Sequence, residues 1–201
     1  FVWDGTDDGG NTVSDGEYRY ALTCTDRAGN EITKTVSGIV IDTRPTPVDV
    51  APSLTAFSPN NDGERDSVRF DLSVGLNEGI DTWSLLVLNR YGREIADLTP
   101  EDSELIPESI TWDGRNDSGR IIDGEYTARL SARYAKGNRP EATTDAFVLD
   151  TRAPTAYVNA TRQIFSPNGD GVSDSITITQ RTSSEDRWEA RITASSGLVV
   201  R

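Results

Sequence analysis

Apolar and polar residues alternate strictly along much of the chain. Val68, Phe70, Leu72, Val74 and Leu76 occupy every second position, and Trp83, Leu85 and Val87 resume the pattern. A period of two puts one set of side chains on one face of a pleated strand, so both runs predict half-buried strands. Asn89-Arg90-Tyr91-Gly92 is a turn signal before Ile95, which makes a hairpin. Ile110 and Trp112 begin another strand. Ile121-Ile122 forms a short pair, and Tyr126, Ala128, Leu130 and Ala132 alternate after Asp123-Gly124. Phe147 and Leu149 end the series. No stretch carries a helical period. Six or seven short strands separated by Gly, Asn and Asp turns over about 100 residues predict an all-β fold, an antiparallel β-sandwich of immunoglobulin or fibronectin type.

The pattern also repeats. Asp15-Gly16-Glu17-Tyr18 returns as Asp123-Gly124-Glu125-Tyr126, Asp42-Thr43-Arg44 as Asp150-Thr151-Arg152, and Phe57-Ser58-Pro59-Asn60 as Phe165-Ser166-Pro167-Asn168, each 108 residues on. Trp3-Asp4-Gly5 returns as Trp112-Asp113-Gly114 after 109 residues, and Trp83 matches Trp188 after 105. That spacing exceeds the 20–50 residues of solenoid repeats and is the size of a small domain. The expected organisation is a tandem array. Residues 47–154 make one complete repeat, residues 1–46 the second half of another, and residues 155–201 the first half of a third.

The two end pieces jointly lack an equivalent of residues 97–109, DLTPEDSELIPES, a polar, acidic stretch with two prolines. It is expected to be an exposed loop open to proteases. Cleavage at that loop in two successive repeats would yield this chain. Alternatively, half-repeats could associate head to tail, because half a sandwich leaves strand edges bare.

Composition narrows the function. The 201 residues carry a net charge of −13, against the basic face that nucleic acid requires. No apolar run is long enough for a membrane-spanning helix, and no signal peptide is evident. Histidine is absent, which removes Ser-His-Asp and Cys-His catalysis and the usual zinc sites. The one cysteine, Cys24, falls in phase with Tyr18, Tyr20 and Leu22 and is expected to be a small buried residue. All four tryptophans, two positions seen twice, are expected in the core. Asp and Glu fall in turns and recur with the fold, so paired-carboxylate hydrolysis has no candidate that breaks the repeat.

FSPNNDGERDSV, residues 57–68, holds the candidate chemistry. With Gly63 at position 6 of a calcium loop, Ser58, Asn60, Asp62 and Asp66 fall at positions 1, 3, 5 and 9, and the carbonyl of Glu64 at position 7. The second copy offers Asn168, Asp170 and Asp174. Position 12, where a bidentate glutamate belongs, is Arg69 in one copy and Thr177 in the other. The competing reading is a turn demanded by the fold, with Asx side chains bonding nearby amides. No other cofactor is indicated.

The set FSPNGDG…D, a hairpin ending in glycine, then WDG…G…DGEY resembles bacterial Ig-like modules. The nearest are the Ig-like domain of the flagellar hook-capping protein and C-terminal modules of gliding-motility and secreted proteins. FVLDTRAPTA resembles the junction between tandem bacterial Ig-like or fibronectin-like repeats. A hook-capping protein carries one such domain, and this chain departs from it in being an array. The resemblance implies a non-catalytic structural or adhesive segment of a large exported or cell-surface bacterial protein, located extracellularly, at the surface or in the periplasm. Its partners would be neighbouring repeats and a protein or glycan ligand, without nucleic acid or membrane insertion. The alternative is a carbohydrate-recognition or accessory module of a secreted enzyme. That role needs exposed aromatics, for which Tyr91 is the candidate, and its counterpart is Ser196. The sequons at Asn116 and Asn159 matter only in a glycosylating pathway.

Overall fold

A computed structural model describes residues 1–101, 105–184 and 187–200. Among them every regular element is a strand. The chain divides into two compact units, Phe1–Asp150 and Thr151–Arg201.

In the first unit, β1 (Gly16–Thr25) and β2 (Glu31–Ile41) form a two-stranded hairpin. The strands that follow build a sandwich. One sheet has the order β3 (Val48–Pro52), β5 (Val68–Val74), β8 (Ser109–Trp112). The other runs β4 (Ala56–Phe57), β11 (Phe147–Leu149), β9 (Gly124–Tyr134), β6 (Ile80–Asn89), β7 (Glu94–Asp97), with β10 (Glu141–Thr143) also paired to β9. All pairs are antiparallel except β4 with β11. In the second unit, β12 (Ala156–Ala160) pairs with β13 (Ile178–Thr182).

The alternation becomes burial. Val68, Phe70 and Leu72 of β5 point inward while Arg69 and Asp71 face solvent. Leu85 and Val87 of β6 meet Ala128 and Leu130 of β9 in the same core. Phe57, Phe70, Trp112, Tyr126 and Phe147 form a linked aromatic cluster with ring centroids 5.4–6.4 Å apart. Each such ring removes a large apolar area from water, at roughly 25 cal/mol per Å². Every residue of this core lies between Val50 and Leu149.

The fold departs from the sequence reading at specific places. β5 ends at Val74, so Leu76 lies beyond the strand. β3, β4 and β10 are short strands that the alternation did not signal; they are defined by their pairing with β5, β11 and β9. The loop over 97–109 includes residues 102–104, which lie outside the described residues. Cys24 is exposed, contrary to expectation, and so are Trp3 and Trp188. The physical reason is that among the described strands β1 pairs only with β2, and β12, in the unit that holds Trp188, only with β13, so neither two-stranded sheet has a second layer of its own unit over it.

Candidate functional site

The Asp-rich loop begins where β4 ends. Phe57 is buried against Trp112, and Pro59 is buried beside it. The loop then turns back on itself. Asn61 and Arg65 adopt φ of 65° and 55°, and Gly63 adopts 88°. The left-handed region is open to glycine and tolerated by asparagine, but costs other residues free energy. Carboxylates hold it. Asp66 Oδ1 accepts the Asn61 amide at 2.7 Å, and Oδ2 accepts the Gly63 amide at 2.8 Å. Asp62 Oδ1 accepts the Glu64 amide at 2.8 Å, and its Oδ2 accepts Asn60 Nδ2 at 2.9 Å. Asn60 Oδ1 accepts the Asp62 amide at 3.0 Å. The Glu64 amide, and then the Asn60 side chain, hold the Asp62 carboxyl below its ordinary value.

The second copy repeats this geometry bond for bond. Asp174 accepts the amides of Gly169 and Gly171 at 2.9 and 2.8 Å. Asp170 accepts the Val172 amide at 2.7 Å and Asn168 Nδ2 at 3.0 Å. The Val172 amide and the Asn168 side chain lower the Asp170 carboxyl in the same way.

These are the residues nominated for calcium. The structure brings Asn60, Asp62 and Asp66 into one loop, while Glu64 contributes its amide to Asp62. Both oxygens of each aspartate already accept hydrogen bonds, mostly from backbone N–H groups whose positive ends face the carboxylate. Among the described residues no group of three or more His, Cys, Asp or Glu is placed to hold a metal ion.

The other motifs meet this loop in space. Trp112 Nε1 donates to the carbonyl of Arg115 at 2.8 Å, and Asp113 Oδ1 accepts the Arg115 amide at 3.0 Å. Gly114 sits between them at φ 83°, and a Cβ there would lie 2.9 Å from Pro59 Cγ and from Leu149 Cδ1. The WDG turn and the FSP segment therefore interlock through Gly114. Tyr126 Oη donates to the carbonyl of Ile122 at 2.6 Å and closes the DGEY corner. Trp3 to Thr6 and Tyr18 to Ser14 repeat these bonds at 2.8 and 2.6 Å.

A further cluster lies where the first hairpin leads into the sandwich. Arg44 grips Asp42 with Nε and Nη2 at 3.0 and 2.9 Å, and reaches Glu78 with Nη1 at 3.2 Å. Thr43 donates its amide and hydroxyl to Asp15 Oδ1 at 2.9 and 2.8 Å. Lys136 Nζ stands 3.2 Å from Asp42 Oδ1 and donates to the Arg44 carbonyl. The Arg44 guanidinium, assisted by Lys136, holds the Asp42 carboxyl far below the usual carboxylate range. The Gly75 amide donates to the Pro47 carbonyl at 2.9 Å. A Cβ on Gly75 would approach the Pro47 ring to 2.7 Å, so glycine lets the connecting segment lie on the sandwich. Sequence reasoning marked Asp42-Thr43-Arg44 as a repeat signature but missed Lys136 and Glu78. The equivalent of Lys136 one repeat earlier is Ala28, so comparing copies gave no signal.

An open groove of about 650 Å³ runs between the β6–β7 turn and the 116–126 segment. Tyr91 lies on its rim, largely exposed. The Arg90 guanidinium covers one face of its ring at 4.8 Å, a face on which a sugar would otherwise stack. No helix of the described chain is long and apolar enough to cross a membrane.

No family model and no curated protein matches this sequence. Three solved structures resemble it distantly. Dimeric latent PorU from Porphyromonas gingivalis is 20% identical, with a TM-score of 0.41 over 71% of this chain and 13% of that one. A tetra-tandem repeat from the extending region of a large adhesion protein is 17% identical, with a TM-score of 0.39 over 97% of this chain and 52% of that one. CopC from Methylosinus trichosporium OB3b is 14% identical, with a TM-score of 0.33 over 53% of this chain and 94% of that one. The chain thus spans well under two thirds of the first two, and the likenesses assign no family.

Proposed function

We propose that this chain is a non-catalytic, load-bearing segment of a tandem Ig-like array in a large exported or cell-surface bacterial protein. In this reading residues 47–154 are one repeat, and residues 1–46 and 155–201 belong to its neighbours. In this reading the polar residues that recur with the repeat do structural work. The same carboxylate-to-amide and aromatic-to-carbonyl bonds recur at each copy of the loop and corner, as expected of groups that shape a repeat. Membership of an exported bacterial protein rests on the resemblance of the FSPN, WDG and DGEY motifs to such modules.

One observation carries the mechanical role. The second strand of the sandwich and its last, β4 and β11, are paired in parallel, Ala56 beside Val148 and Phe57 beside Leu149. Once β3 has parted from β5, tension along an array pulls β4 toward its start and β11 toward its end. The two strands are loaded in shear along a common axis. The amides of Val148 and Asp150, bonded to Thr55 and Phe57 carbonyls at 2.9 and 3.1 Å, must then break together rather than one at a time. The core beneath them, Phe57 and Leu149 included, must open in the same step.

The test is force spectroscopy on the whole chain held at its two ends. The expected trace has one discrete high-force event, releasing on the order of 300 Å for a repeat of this length at about 3.3–3.6 Å per residue. Val148→Pro removes one amide of the pair and should lower that force while leaving equilibrium unfolding cooperative. Gradual extension without a discrete event would refute the load-bearing role.

A further inference from the structure

The Asp-rich loops contain the peptide bonds of this chain most open to spontaneous rearrangement. Asparagine is a thermolabile residue, and glycine after it leaves the reaction least hindered. Asn168-Gly169 is the one Asn-Gly pair in the sequence, and Asp170-Gly171 follows it directly. The complete repeat carries Asn60-Asn61 and Asp62-Gly63 at the same places, and residues 60–65 are exposed to water. At such a bond the nitrogen of the second residue loses its proton and attacks Cγ of the first. A new N–Cγ bond closes a succinimide ring, and the side chain's nitrogen leaves as ammonia or its oxygen as water. Water then opens the ring to aspartate, or to isoaspartate, which routes the backbone through the side chain.

We propose that Asp66 and Asp174 guard these bonds, suppressing succinimide formation in their loops. Each nitrogen that would attack is held by one of these two carboxylates. Asp66 takes the Asn61 amide on Oδ1 and the Gly63 amide on Oδ2, at 2.7 and 2.8 Å. Asp174 takes the Gly169 amide on Oδ1 and the Gly171 amide on Oδ2, at 2.9 and 2.8 Å. The match is between bonds and not between sequences, because Asn61, Glu64 and Arg65 are replaced by Gly169, Val172 and Ser173 in the second copy. A nitrogen so held must break a charge-assisted bond before it can turn toward Cγ. It must also lose a proton beside a carboxylate, where a second negative charge is disfavoured.

The attacked groups are tied down as well. Asn60 Oδ1 accepts the Asp62 amide and Asp62 Oδ1 the Glu64 amide, at 3.0 and 2.8 Å. Asn168 Oδ1 accepts the Asp170 amide and Asp170 Oδ1 the Val172 amide, at 3.2 and 2.7 Å. Each side chain is thus bonded to the amide two residues on, and not presented to the one that would attack it. The first of these bonds also occupies the nitrogen that would attack Asn61. Both Asp62 and Asp170 are held ionised, and a carboxylate resists nucleophiles. Isoaspartate here would lengthen the backbone of a loop closed by its own amides, between β4 and β5. The inference rests on bonds present in both copies and not on load bearing, so the force experiment and the one below fail separately.

The experiment ages the whole chain in warm neutral buffer and follows each loop peptide by mass spectrometry, with isoaspartate counted by enzymatic methylation. Asn61→Gly first sets an Asn-Gly bond in the complete repeat, where the left-handed φ of 65° suits glycine. Adding Asp66→Ala should speed ammonia loss at Asn60 by about tenfold or more, the change that one charge-assisted bond of ordinary strength makes in an opening equilibrium. Asp66→Asn, the same shape with one acceptor oxygen left, should fall between. Asp174→Ala should act likewise at Asn168 with no other change. In urea, where the loop geometry is lost, all these chains should age alike. Gly119→Ala strains a left-handed turn that opens onto free space, and controls for general loosening of the sandwich. It should leave Asn60 at the guarded rate. An unchanged rate after Asp66→Ala overturns the proposal. So does a slower one, which would make the carboxylate a base that draws the amide proton. Equal acceleration by Gly119→Ala and Asp66→Ala also overturns it, since sandwich stability and not the guard would then set the rate.

Discussion

Lys136, in the turn after β9, bonds to both the carboxylate of Asp42 and the carbonyl of Arg44, so the sandwich holds the segment that leads into it. The side chains of Asp42 and Lys136 are largely covered, at 21% and 17% exposure, which shields the contact from salt better than an open surface pair. Lys136→Ala should free the hairpin of residues 16–41 without unfolding the sandwich. Backbone NMR relaxation checks this, with the hairpin expected to tumble independently of β3–β11 in the variant and with them in the parent chain. Acid should do the same. The Asp42 carboxyl is depressed in the folded chain, so its stabilisation is present in full above the ordinary aspartate value. It is lost as pH falls below about 4 and toward the depressed value. Uncoupling between pH 7 and pH 5 would count against this account.

Trp112 is the hub of the aromatic cluster, in contact with Phe57, Tyr126 and Phe147. Trp112→Ala should cost about 3–5 kcal/mol of sandwich stability in a urea titration, through lost burial and a residual cavity. Trp3→Ala, the same position in the sequence repeat, should leave that transition within about 0.5 kcal/mol, because Trp3 contributes nothing to the sandwich core. Equal costs at the two tryptophans would contradict the separation of hairpin and sandwich.

Gly114 is held by both its backbone and its surroundings. A methyl group there meets a left-handed φ and three side chains, with Pro59 and Leu149 at 2.9 Å and Phe57 at 3.3 Å. Gly114→Ala should therefore cost about 2–4 kcal/mol, strain and overpacking together. Gly119→Ala shares the left-handed φ but opens onto free space. It should cost only about 1 kcal/mol. Thermal melts of the two variants side by side separate the effect of packing from that of backbone conformation.

What the sequence disclosed and what it hid divide along physical lines. The strands β5, β6 and β9 were legible because each has one buried face long enough to alternate. The 108-residue period was legible because the turn residues Asp, Asn and Gly are fixed by backbone conformation, which each copy must reproduce. The short strands β3, β4 and β10 were not, since pairing with a neighbour defines them rather than any pattern of their own. Cys24 and Trp188 were placed in a core by their phase, and Trp3 by its repeated place before an Asp-Gly turn. Phase reports which side of a strand a residue occupies, and says nothing about whether a second layer lies on that side. The clamp at Lys136 was invisible because it joins residues 92 positions apart and the position one repeat before Lys136 is Ala28.

The Asp-rich loop allows a direct decision between a turn and a cation site. In the structure Asp66 bridges two amides whose residues flank Asp62, and Asp62 ties Asn60 to Glu64. The loop is thus closed by its own backbone. A calcium ion would have to compete with these amides for the same oxygens, without the bidentate glutamate such loops use. Melting of the whole chain is expected to give the same midpoint in EDTA and in millimolar calcium. Asp66→Ala should lower stability by about 1–2 kcal/mol in both conditions, through the loss of two charge-assisted bonds at a partly exposed site. A ligand that binds only the folded state raises the midpoint by mass action. A calcium-dependent rise that vanishes in both Asp62→Ala and Asp66→Ala would therefore make the loop a cation site, and the amides its scaffold in the absence of the ion.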